Sequence, residues 1–113
     1  IHPCKTEEAL FHPHPWPSAM RVCDGSYEMA VGYGSGTETP PVAAKMTLAG
    51  GSAYEMTDEN AWHYVRPLQR PTMSLMVTGK PWTRSSPKSE KPLLPLTGEQ
   101  SERLFVFFRK YYE

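Results

Sequence analysis

Apolar residues in the first eighty positions come in short runs separated by turn-forming residues, and several runs alternate with polar positions. A strand presents successive side chains to opposite faces, so each run predicts a half-buried β-strand. The segments 9–14, 19–23, 26–32, 42–48, 53–56, 61–66 and 72–78 are the expected strands. Asp24-Gly25 lies between two apolar runs and predicts a tight two-residue hairpin, while Gly50-Gly51 and Asp58-Glu59-Asn60 mark two further turns. From residue 32 to 41 the chain is rich in Gly, Ser and Thr and ends in Pro40-Pro41, an extended loop.

The pattern changes once, near the C-terminus. Residues 83–96 form a polar, proline-rich connector, and Thr97-Gly98-Glu99-Gln100 after it reads as a capping box in which Thr97 and Gln100 satisfy each other's amides. A helix to about Tyr112 follows, with Leu104, Phe105, Phe107, Phe108, Tyr111 and Tyr112 on a wide apolar face. That face either caps the β-domain or forms a homodimer contact. The expected organisation is a β-barrel core over 1–82, the connector over 83–96 and the packed helix over 97–113. Short strands with no helix between them exclude an α/β wound sheet and leave an antiparallel sandwich, jelly roll or barrel.

Composition agrees with one β-rich domain. Twelve prolines and eight glycines among 113 residues leave only the C-terminal stretch free for a long helix, and thirteen aromatic residues supply a core. Twelve basic residues balance twelve acidic ones, which argues against a nucleic-acid partner bound through its phosphates. No apolar run approaches a membrane span. Cys4 and Cys23 are too few for a disulfide scaffold and read as reduced thiols of a cytoplasmic protein.

The four histidines carry the chemistry. His12 and His14 are two apart on an expected strand, so their imidazoles leave one face and can share an ion. Pro13, Pro15 and Pro17 fall on the alternate positions, which limits that strand to full pairing on one side and leaves a metal ion as a second support. His63, in Trp62-His63-Tyr64-Val65, completes a set of three. Read singly, each is a hydrogen-bonded core histidine. Together, on an all-β chain, they predict a mononuclear transition-metal site with open coordination positions.

These residues resemble the cupin superfamily, and within it the three-histidine thiol dioxygenases. Phe11-His12-Pro13-His14 followed by Val22-Cys23-Asp24-Gly25-Ser26-Tyr27-Glu28 is similar to the first cupin motif, and Gly51 through His63 to the second. Ser74-Leu75-Met76-Val77-Thr78 resembles the strand on which those enzymes carry Ser, His and Tyr at alternate positions; only Ser74 is kept, and Met76 and Thr78 replace the other two. Ser18 and Ala19 stand where the general motif has a Glu ligand, so the resemblance implies three histidines without a carboxylate.

The resemblance implies an all-β fold, a small cupin jelly-roll or β-barrel with a C-terminal α-helix. It also implies a metal-dependent oxidoreductase: a non-haem Fe(II) dioxygenase-like enzyme acting on a small organic molecule, with Zn, Ni or Mn as alternative metals. A cupin that binds a small metabolite or anion without turnover is the other reading. Around His12, His14 and His63, the expected substrate-binding residues are Arg21, Tyr27, Ser74 and Met76, with Glu28 behind the ligands. Arg66, three residues from His63, should lie on the opposite strand face.

Overall fold

The computed structural model describes residues 7, 9–69, 71–83 and 94–112, without the side chain of Tyr111. Cys4 and most of the proline-rich connector lie outside the described residues. The described residues form seven strands, β1 (His12–Pro13), β2 (Ser18–Asp24), β3 (Ser26–Tyr33), β4 (Ala44–Ala49), β5 (Ala53–Met56), β6 (Ala61–Pro67) and β7 (Met73–Thr78), followed by α1 (Gly98–Tyr112). They form two antiparallel sheets, ordered β1-β6-β3-β4 and β5-β2-β7. The sheets do not join into a closed barrel among the described residues.

The turns do a different job from the one their sequence predicts. Asp24-Gly25 links β2 to β3, but those strands belong to different sheets, so the turn is a corner and not a hairpin. The two-residue hairpin of this sequence type needs positive φ at both central positions. Only Gly25 takes it, at φ 78°, and Asp24 instead accepts the Gly25 amide on its own carboxylate at 2.8 Å. A Cβ at Gly25 would lie 2.6 Å from the Pro71 carbonyl, so the corner requires glycine both for its dihedral and for its closeness to the 71–72 segment. The turns at 50–51 and 58–60 likewise carry the chain from one sheet to the other.

Alternation then sorts the side chains. Val22, Tyr27, Met29 and Leu48 form the core between the sheets, with Val31, Tyr54 and Val65 packed against it. On the outer face of the larger sheet, Trp62 and Tyr64 are buried beneath Phe11, at ring separations of 5.9 and 6.2 Å. A Cβ on Gly32 would meet Phe11 Cζ at 2.9 Å and the Pro41 carbonyl at 2.7 Å, which is why the N-terminal segment can lie this close to β3.

The first strand is shorter than its sequence pattern predicts. Prolines cannot donate, so from 9–14 only His12–Pro13 pairs, with His63 and Trp62 of β6. Beyond it, the Pro15 and Pro17 carbonyls accept from the amides of Trp82 and Gly79, both at 2.8 Å. This proline-rich stretch crosses from one sheet to the other as an acceptor of hydrogen bonds and supplies no donor at 15 or 17.

α1 begins with the reciprocal cap: Thr97 N donates to Gln100 Oε1 at 2.9 Å and Gln100 N to Thr97 Oγ1 at 3.2 Å. Its C-terminal end reaches the β-domain, where Tyr112 Oη lies 3.9 Å from Cys23 Sγ. Much of its apolar face stays in solvent, with Phe105 64% and Tyr112 53% exposed.

Candidate metal centre

Two pairing strands and one corner bring the histidines together. His12 and His63 are direct partners in the β1–β6 ladder. In an antiparallel pair such residues have Cβ atoms about 5 Å apart on one face. His14 follows at the start of the crossover, and its Nε2 lies 2.8 Å from Nε2 of His63. One ligand nitrogen from each ring falls within a set whose members are all within 4.8 Å of one another. The ring centroids are 5.3 Å apart for His12–His14, 5.0 Å for His12–His63 and 4.5 Å for His14–His63.

Two rings are anchored from behind. The Leu10 carbonyl accepts from His12 Nδ1 at 2.8 Å, and Ser18 Oγ lies 2.6 Å from His14 Nδ1. The Leu10 carbonyl can only accept, so it fixes His12 as the tautomer whose Nε2 lone pair is free, the arrangement of metal-binding histidines, while the Ser18 hydroxyl can accept from or donate to His14 Nδ1. His14 and His63 are 8% and 1% exposed, and His12 is half-buried on the more open side. Burial, reinforced by neighbouring His12, lowers His14 to about 4; burial, then His12 and His14, lowers His63 to about 3. Both rings are therefore neutral near pH 7 and present lone pairs, not charge.

The donor set fits a transition metal. It is three imidazole nitrogens with no carboxylate among the described residues, unlike the oxygen cages that hold Ca or Mg. Two nitrogen ligands on an ion with bonds of about 2.1 Å lie about 3.0–3.4 Å apart, so the His14–His63 pair needs to open only slightly. Two acceptor lone pairs cannot face each other at 2.8 Å, so without an ion one Nε2 of this pair must carry a proton. The His63 Nδ1 atom is buried with no hydrogen-bond partner among the described residues. If the proton moves to Nδ1 to free Nε2 for a metal, that N–H remains unpaired, a cost that coordination must exceed.

The other residues singled out from the sequence do not gather here. Glu28 stands opposite Arg66 on β3–β6, one face away from His63. Its carboxylate accepts from Tyr64 Oη at 2.9 Å and pairs with the Arg66 guanidinium at 3.2 Å, which hold it below the usual carboxylate range. It is thus a partner of Arg66 and Tyr64, and the expectation that it backs the ligands is corrected by register. Arg21 is exposed on the outer face of β2 because it alternates with the inward Met20 and Val22, so it cannot hold a substrate at the histidines. Tyr27 is buried with Oη 3.2 Å from Ser74 Oγ. That pair lies four residues along β3 and β7 from the positions opposite His63 and Ser18, about 13 Å at 3.3 Å per residue. Both are core residues at the far end of the sandwich. Met76 faces inward opposite Met20, between these two ends, and is 44% exposed.

Two contributors escape a reading of the sequence. Ser18, singled out there only as the absence of a Glu ligand, holds His14. Tyr54 places its ring 6.0 Å from that of His63 and donates its hydroxyl to the Met20 thioether at 3.2 Å. Burial, with Tyr27 adding to it, pushes Tyr54 up to about 12, so it stays a neutral donor. The Ser18 signal was local, four residues after His14, but depends on a corner that spacing does not reveal. Tyr54 comes from the other sheet, and nothing in its neighbours pointed to His63.

No protein-family model matches the chain, and no curated protein or solved structure is significantly similar to it.

Proposed function

We propose that the chain is a small cupin of jelly-roll type in which His12, His14 and His63 hold one transition-metal ion, and that it works in the cytoplasm as a non-haem oxygenase on a small organic molecule. One observation carries the reading: the Nε2 atoms of His14 and His63 face each other at 2.8 Å, with His12 beside them, in the buried interior of the fold. Fe(II) suits three imidazoles with open positions, with Zn, Ni or Mn as alternatives. Such an ion supplies Lewis acidity and, as iron, dioxygen chemistry.

The chain's own residues orient, exclude water and admit the ligand. Ser18 and the Leu10 carbonyl hold two rings in register. The burial of His63 closes one side, and half-buried His12 marks the side of entry. Met76 has no proton to transfer, and Thr78 opposite Ser18 is short, so substrate orientation comes from contact with apolar groups and from its own donor atoms.

Protein purified without chelators should carry stoichiometric metal, lost in His63→Ala while the β-fold persists. With the metal found, an oxygen-uptake screen should yield a substrate, and cysteine and 3-mercaptopropionate should give little uptake. A protein that neither carries a transition metal nor gains thermal stability on titration with Fe, Zn, Ni or Mn would sink the reading. The proton-free side chain of Met76 favours one second reading, a metal-bearing binder of a small metabolite or anion. Ligand binding with no oxygen consumption distinguishes it.

A further inference from the structure

Two sheets that do not close leave four free strand edges among the described residues: β1 and β4 on one sheet, β5 and β7 on the other. A free edge presents unpaired amides and carbonyls that another strand can take, and proteins block it with prolines, charges or brevity. β1 has two paired residues, one of them Pro13, and runs on into Pro15 and Pro17. β5 is four residues long with exposed Glu55, and β4 carries exposed Lys45. β7, Met73–Thr78, is six residues long and has no charge, proline or glycine. It also exposes apolar groups on both faces: Leu75 (39%) and Val77 (63%) outward, Met76 (44%) inward.

We propose that a second copy of this chain pairs there, β7 against β7 about a two-fold axis at Leu75, joining the two three-stranded sheets into one of six strands. Residues opposite one another then share a face, as antiparallel pairing requires. Leu75 faces Leu75 of the second copy, Met73 faces Val77, and Ser74 faces Met76, so no like charges meet across the new ladder. The chain's twelve basic and twelve acidic residues leave no net repulsion between copies.

Area favours a whole second copy over a short peptide. A stable interface needs about 800 Å² from each partner, more than one six-residue edge provides. The shortfall has a source on the same side. Tyr112 of α1, 53% exposed, lines a groove of about 540 Å³ together with Ala19, Leu75 and Val77. This inference is independent of what the histidines bind.

The test is Leu75→Glu. Leu75 is the cross-strand partner of Arg21 within the chain, so the introduced carboxylate gains an opposite charge in the monomer. Across the two-fold axis it faces its own copy, a like-charge contact that should weaken association at least about 100-fold. The full-length wild type should show twice the chain mass by light scattering at about 50 µM, a concentration well above the Kd of a stable dimer. Its amides over 73–78 should become slower to exchange as concentration rises. Leu75→Glu should be monomeric with the β-sheet circular dichroism of the wild type and a melting temperature that no longer rises with concentration, and Val42→Glu, a change at an exposed apolar residue away from β7, should remain dimeric.

A monomeric wild type, a Leu75→Glu dimer of undiminished affinity, or open-ended aggregates would each overturn the proposal. So would a wild type whose 73–78 amides stay equally protected after dilution to the monomer, since the chain would then cover its own edge. Should Leu75→Glu fail to fold, the wild-type exchange series decides alone.

Discussion

Acid should unfold the metal-free protein through its two buried histidines, and the size of the effect follows from their surroundings. In the unfolded chain both rings titrate near 6.5; in the folded one burial and neighbouring histidines keep His14 neutral down to about 4 and His63 to about 3. Between those limits the unfolded state takes up protons that the folded state refuses. Stability is therefore complete above pH 6.5 and is lost as pH falls towards 4. Each ring costs about 1.4 kcal/mol per pH unit in that window, so at pH 5 the pair costs about 4 kcal/mol. That is a large part of the roughly 5–15 kcal/mol that holds a domain together.

Urea unfolding of chelator-treated protein at pH 7, 6 and 5 measures this directly. With a slope of about 1–2 kcal/mol per molar for a domain this small, the midpoint should fall by about 2–4 M across the series. His63→Gln cannot become charged, and should lose about half of the pH dependence even if it is less stable at pH 7. A wild-type midpoint that does not move between pH 7 and 5 would refute the reasoning, because it would mean that water already reaches both rings.

Three further outcomes are expected. Ser18→Ala removes the oxygen behind His14 Nδ1 and should weaken metal affinity about 10–100-fold with little change in fold, read by competition with a chelating dye. Gly32→Ala forces a methyl group to within 2.9 Å of Phe11 and 2.7 Å of the Pro41 carbonyl, and should cost about 1–3 kcal/mol in denaturant melts. Met76→Leu conserves volume at a partly exposed inward site, so it should cost under about 1.5 kcal/mol and leave metal content unchanged.

Local chemistry determined most of the element list. The short apolar runs at 19–23, 26–32, 53–56 and 61–66 became β2, β3, β5 and β6 within a residue or two, because the turn residues that bound them act locally. The Thr97–Gln100 cap also formed as read, since both halves lie within one turn. The convergence of His12, His14 and His63 was legible as a hypothesis because three ligand-capable residues on short strands have few other places to meet.

What only the tertiary structure decided was which strands are neighbours and in what register. Asp24-Gly25 looks the same whether it closes a hairpin or turns a corner; the choice rests on strands β4 to β7, which are distant in sequence. That choice, with a side-chain period of two, sends Glu28 and Arg21 to outer faces and leaves Tyr27 and Ser74 at the far end of the core. The same long-range pairing put Ser18 behind His14 and Tyr54 beside His63. A strand's own residues say which of them share a face; the pairing partner decides what that face meets.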